Sequence, residues 1–267
     1  MGDTLTLYGR LIAARIRAQL QYRASFVLDT IGHFLVTFLD FVAILIIFAN
    51  VPRLAEWSQA EVALLYGISA LAFAITDLVV GQLDWLSTWI RDGTFDQILL
   101  RPRGTLFQVI ASDFQLRRLG KALQGLIVLA YAVSALHIDW TPLRVLMLIA
   151  TIPVGAVIFI SIWIFMICIV FWTVEGREAA NAFTYGGQFS SQFPMNIYDR
   201  WLRRFLGYLV PIAFISYFPA LYILDKPDPL GLPVVLQFSA PLVAIAAALA
   251  ANLMWRVAVR HYQSAGG

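Results

Sequence analysis

Apolar residues in this chain run in long blocks, and most of the charge sits in the short stretches between them. Five blocks, roughly 26–49, 62–83, 122–137, 144–172 and 234–255, are each near the ~20 residues a helix needs to cross a bilayer core. The fourth is long enough to tilt or to project beyond lipid. Ahead of them, residues 4–23 place Leu5, Tyr8, Ile12 and Ile16 at helical spacing, with Arg10 and Arg17 on the other side. That pattern predicts an amphipathic helix lying on a membrane surface, a reading the adjoining span favours over an ordinary surface helix.

Between 173 and 232 the pattern admits two readings. Residues 205–224 are apolar but carry Pro211 and Pro219, and hydropathy alone makes them the fifth span. Alternatively 178–195, rich in Asn, Gln, Ser, Thr and Gly, crosses as a polar-faced helix packed on protein. Residues 198–224 then form a broken hairpin that dips in and out, which is tolerated where protein covers the irregular backbone. Both readings give about six crossings by the bilayer-thickness rule and put both termini on one side. No internal repeat or long linker is visible, so 1–267 reads as one domain.

Charge sets the orientation. Arg10, Arg15, Arg17 and Arg23 precede the first span; Arg91, Arg101, Arg103, Arg117, Arg118 and Lys121 lie between the second and third; Arg256 and Arg260 close the last. The opposite side offers Arg53, Arg144 and Lys226. The positive-inside rule therefore makes both termini and segment 85–121 cytoplasmic. Arg200, Arg203 and Arg204 fit that rule only if 205–224 spans, which argues against the hairpin.

Composition agrees with a membrane protein. The chain is 60% hydrophobic and 13% charged, against about half and a quarter for soluble domains. A net charge of +3, scattered between apolar runs, is no nucleic-acid stripe. One cysteine, Cys168, excludes an internal disulfide or thiolate cluster, and the three histidines are far apart in sequence. The polar, basic start is not read as a signal peptide. Phosphate-loop, nucleophile-elbow and H-E-x-x-H motifs are all missing, so no motif supports an enzyme.

Ionisable residues inside spans need a partner or a cavity. Asp29, His33, Thr37 and Asp40 share one face of the first span, and Asp77, Gly81 and Asp84 share one face of the second. The sharp reading is a proton relay; the bland and favoured one is a satisfied contact between helices. Most tryptophans lie near span ends as an interfacial belt, and Trp163, mid-span, reads as packing. Segment 85–121 is too long for a turn and carries its own amphipathic pattern, with Ile90, Phe95, Ile98 and Leu99 among Arg91, Asp92, Asp96 and Arg101. Such an element docks in a groove of a soluble partner or meets lipid headgroups, and the pattern alone does not choose.

Residues 90–102, IRDGTFDQILLRP, resemble the I-R-x-G-x-F-D-x-x-L-x-R-P signature of ABC-2 type ABC transporter permeases, within them a subgroup of bacterial permeases formerly classed as a domain of unknown function. Tyr22–Arg23 before the first span, the Pro-rich stretch 193–224 and the ending 255–267 extend the resemblance over nearly the whole chain. It implies an all-α integral membrane fold: an interfacial N-terminal helix, six transmembrane helices, a cytoplasmic coupling helix between spans two and three, and a re-entrant hairpin before span six. The hairpin reading of 198–224, with Pro194, Pro211 and Pro219, follows, and 178–195 becomes the fifth span.

The resemblance further implies a permease subunit of an exporter in the bacterial cytoplasmic (inner) membrane, pairing with a second permease, identical or different, and with separate ABC ATPase subunits. ATP and Mg would bind those ATPases, leaving no cofactor and no enzymatic role in this chain. Carried over, the coupling element is Arg91, Gly93, Phe95, Asp96, Leu99, Arg101 and Pro102. Gly93 makes the turn, Phe95 and Leu99 supply the apolar knob, and Arg91, Asp96 and Arg101 fix register by charge. An apolar, aromatic cavity implies a hydrophobic or amphipathic substrate. The alternative function is a proton- or ion-coupled carrier using Asp29, His33 and Asp40.

Overall fold

The computed structural model describes residues 23–173, 176–228 and 233–263, together with Ala13, Ile16, Arg17, Gln19 and Gln21. The expected interfacial helix 4–23 lies largely outside them. Among the described residues the fold is all-helical, apart from one isolated backbone bridge between Leu54 and Trp57.

The helices are α1 (Arg23–Asn50), α2 (Gln59–Val80), α3 (Leu86–Arg91), α4 (Thr94–Leu99), α5 (Thr105–Ala111) and α6 (Leu119–Ala135). There follow α7 (Pro142–Ile167), α8 (Gly176–Ser191), α9 (Arg200–Arg204), α10 (Tyr217–Ile223) and α11 (Ala240–Arg260). Among the described residues four helices are long and apolar enough to cross a membrane: α1, α2 continued to Arg91, α7 continued to Phe171, and α11. A bent pair, Arg200–Leu209 with Ile212–Ile223, passes the same test as a unit.

Helix α2 forms the centre, with 83% of its apolar window buried against 11% for α1. It packs mainly on α6 and α7, while α8 and α11 pack on α7. The start of α2 is set by Ser58, whose Oγ accepts from Glu61 N while Ser58 N–H donates to Glu61 Oε2 at 2.7 Å, a capping box. Thr141 caps α7 through its hydroxyl, which accepts from Arg144 N, and Pro142 fits its first turn. Helix α11 starts later than the predicted 234, because a short 3₁₀ turn over Val234–Phe238 precedes it and Pro241 sits in its first turn. It runs on past 255 to Arg260, since polar residues that end a hydropathy window do not end a helix. Helix α6 has only 17 residues.

Residues 205–224 do not form one straight helix. Helix α9 runs into a single wide turn, Phe205–Leu209, and stops at Pro211, whose ring cannot continue the backbone ladder. The two limbs meet at 70°. Ser216 Oγ donates to Ser191 O and Tyr198 OH donates to Ser190 O, so both limbs are tied to the end of α8. The second limb, including Pro219, is buried in protein.

Candidate functional site

Segment 86–111 folds as three short helices at one end of the bundle. Helix α2 passes through a 3₁₀ turn, Gly81–Trp85, directly into α3. Gly93 then adopts φ +75°, a left-handed conformation that lets α4 turn back on α3 without a Cβ penalty. The Asp92 carboxylate accepts from Thr94 N at 3.0 Å; these bonds to Thr94 hold its pKa below the usual carboxylate range. At the far end of α4, Gln108 Nε2 donates to Ile98 O at 3.1 Å and Arg103 O at 2.8 Å, closing the carbonyls that a short helix leaves open.

Burial divides this element in two. Phe95 and Ile98 face inward, Phe95 completely. Leu99 and Leu100 face outward, Leu100 at 86% exposure, with Arg91, Arg101, Pro102 and Arg103 around them, all exposed. This corrects the sequence expectation: Phe95 is no part of an exposed knob. At residue 95 the helical period points the ring back at the protein, and the apolar tip is Leu99 with Leu100.

Phe95 acts as an anchor. Its ring lies 5.3 Å from Phe171, at the extended end of α7, and 5.0 Å from Tyr262, just past α11. Phe171 in turn meets Trp255 of α11 edge-on at 5.6 Å, and Trp255 Nε1 donates to Thr105 Oγ1 at 3.0 Å. Four aromatic residues from three parts of the chain thus fix α4 and α5 to the ends of α7 and α11. Sequence reading assigned Trp255 to the interfacial belt and missed Phe171 and Tyr262.

Behind the element lies a buried charge cluster. Asp77 accepts from Lys121 Nζ at 2.7 Å and sits 3.3 Å from Arg118 Nη1. Arg118 Nη1 also donates to the Asp77 carbonyl, near the C-terminal end of α2, where a cation complements the helix dipole. The guanidinium passes over Gly81, where an added Cβ would stand 1.9 Å from Nη1. Asp84 Oδ2 accepts from Tyr185 OH of α8 at 2.9 Å. The second-span stripe is therefore a set of interhelical contacts.

The first-span stripe is not brought together as a relay. Asp29 lies 3.9 Å from Arg117 Nη1 at a half-exposed position. Thr37 Oγ1 donates to His33 O on its own helix, and its carbonyl accepts from Tyr66 OH at 2.9 Å. Asp40 stays on an exposed face of α1. Among the described residues no group of three His, Cys, Asp or Glu side chains is placed to hold a metal ion.

Under the bend of the broken hairpin a groove of about 540 Å³ opens between α7, α8 and α11. Phe165, Phe183, Phe205, Tyr208, Pro211 and Ala247 are among its lining, which is almost wholly apolar.

A family model described as "ABC-2 family transporter protein" matches residues 34–266. No curated protein and no solved structure matches the chain.

Proposed function

The chain belongs to the ABC-2 family of transporter proteins, and from that premise we propose that it is the permease subunit of an ATP-driven exporter. As a member of that family it is a multi-pass membrane protein and an ABC transporter permease. Its crossings are α1, α2, α6, α7, α8 and α11, with 198–224 as a re-entrant hairpin carrying Pro194, Pro211 and Pro219. Both termini and segment 85–121 face the cytoplasm. The buried return limb supports the hairpin, and the arginines around α4 support the orientation.

One observation carries the mechanism: α4 exposes Leu99 and Leu100, with the exposed Arg91, Arg101 and Arg103 flanking the helix in sequence, while its other face is held by Phe95. An apolar tip with a charged rim fits a groove in a soluble partner. That partner is an ABC ATPase, which binds ATP and Mg; this chain supplies no cofactor and no catalysis. When the ATPases close, displacement of the tip reaches α2 through the continuous backbone of α3, and α7 and α11 through the aromatic cluster. Asp77, Arg118 and Lys121 make α2 and α6 move together. A second permease subunit, identical or different, completes the pathway, and substrate passes by alternating access between states that ATP interconverts. The apolar groove beneath the hairpin supports a hydrophobic or amphipathic substrate.

Co-purification with the neighbouring ATPase tests the reading. Leu99→Asp with Leu100→Asp is expected to abolish the complex and ATP-dependent transport; retention of both overturns it. The proton-coupled alternative has weaker support, since Asp29 engages Arg117 and Thr37 bonds to its own helix. Transport without ATP that Asp40→Asn abolishes would revive it.

A further inference from the structure

At the end of the bundle opposite segment 86–111, the loop between α1 and α2 is clasped to the return limb of the hairpin. Helix α10 ends at Ile223; Asp225, two residues on, takes a left-handed φ of 54°, and Lys226 N then donates to Leu221 O. This is a Schellman-type close, and it turns the Lys226 side chain back over the loop. There Lys226 Nζ donates to Glu61 Oε2 at 2.7 Å and to Glu56 O at 3.3 Å, and lies 4.7 Å from the centre of the Trp57 ring. Trp57 is 1% exposed and packs 5.8 Å from Tyr217 at the start of α10.

The loop is shaped for this contact. Ala55 and Glu56 are both left-handed, with φ 47° and 70°, a conformation non-glycine residues seldom hold unless their surroundings enforce it. Leu54 and Trp57 exchange both backbone hydrogen bonds at 2.9 Å across those two residues. Asn196 Nδ2, just after α8, donates to Ala55 O at 3.0 Å. Asp225 is steadied by Arg144 Nη2 of α7 at 3.1 Å. One ammonium thus joins segments about 165 residues apart, and Glu61 holds it while also serving the cap of α2.

We propose that Glu61, Trp57 and Lys226 form a latch that holds the return limb of the hairpin against the α1–α2 loop, closing this end of the bundle at rest. Export, on the reading above, requires this end to open, and opening separates Lys226 from Glu61 and Trp57. The latch lies far from the tip at Leu99 and Leu100, so it sets the resting state and leaves ATPase docking unchanged.

The first arm uses the chain alone in lipid nanodiscs. Ile223 at the end of α10 is fully buried, as is the native Cys168; labelling of Ile223→Cys by a membrane-impermeant maleimide therefore reports opening of the limb. Glu61→Gln keeps the capping bond to Ser58 and Lys226→Met keeps the stem over Trp57, so both remove charge with little loss of shape. Each is expected to speed labelling about tenfold, the change a charge-assisted hydrogen bond of ordinary strength gives. Glu61→Gln combined with Lys226→Met is expected to label no faster than either single variant, because both remove the same contact. Unchanged labelling in the single variants, or additive acceleration in the double variant, overturns the latch. The second arm measures substrate-independent ATPase activity in the assembled transporter, expected to rise severalfold in both single variants; faster labelling without that rise overturns the gating role. Failure of the complex to assemble counts against the exporter reading alone, because the first arm needs no ATPase.

Discussion

At the residue scale, three positions carry distinct physical demands. Gly93 stands at φ +75° between α3 and α4, so Gly93→Ala is expected to cost about 1 kcal/mol locally. It should weaken ATPase binding more than it lowers global thermal stability, which paired binding and unfolding measurements check. Asp92, exposed on that same turn, gains its bonds to Thr94 only as a carboxylate. Its pKa is depressed in the fold, so its contribution is present above the ordinary carboxylate range and is lost as pH falls through the folded value. Amide exchange at Thr94 is expected to quicken on acidification, and Asp92→Asn to remove that pH dependence. Phe95 is completely buried, with the rings of Phe171 and Tyr262 against it. Phe95→Ala should cost about 3 kcal/mol, the usual penalty for deleting a buried aromatic side chain, whereas a tip residue would cost nothing in stability. Thermal unfolding in detergent separates the two.

At the element scale, α2 and α6 are joined by an ion cluster inside the protein. Asp77 is 3% exposed and pairs with both Arg118 and Lys121. Removing one partner of a buried pair leaves uncompensated charge, a larger loss than never having had the pair. Asp77→Asn is therefore expected to destabilise the fold by about 3 kcal/mol, with most protein lost to aggregation on extraction; full yield and unchanged melting would contradict the role. Gly81 belongs to the same arrangement, because its missing side chain is the space through which Arg118 reaches Asp77. A hydropathy reading sees these residues only as interruptions of an apolar helix. Their pairing needs Arg118 and Lys121 from 41 and 44 residues further on, a separation that no local periodicity encodes. The same limit explains the broken hairpin: Pro211 and Pro219 announce a break, but its angle follows from how Ser191, Ser216 and Tyr198 bond at the top of α8.

At the scale of the whole molecule, the proposed function depends on two ends acting together. The arginine-rich end presents Leu99 and Leu100, and at the opposite end Lys226 bonds to Glu61. Between them run α2, which continues into α3, and α7 and α11, which the aromatic cluster ties to α4. Rigid coupling predicts that weakening the joint uncouples the two ends without detaching the partner. Trp255→Ala should keep the ATPase bound and ATP hydrolysed while lowering transport per ATP several-fold; equal losses in hydrolysis and transport would show that the joint does no coupling.

Sequence alone determined the membrane class, the approximate place of each long apolar helix and the Gly93 turn between α3 and α4. Those features follow from local quantities: run length against bilayer thickness, charge between runs, and the backbone freedom of one glycine. It also left open which part of 178–224 is continuous helix, and it turned Phe95 the wrong way. Tertiary structure decided these, because an amphipathic helix with apolar residues on two faces declares which face is buried only when a neighbour arrives. Phe171, Trp255 and Tyr262 are that neighbour for α4, and they lie more than 70 residues further along the chain.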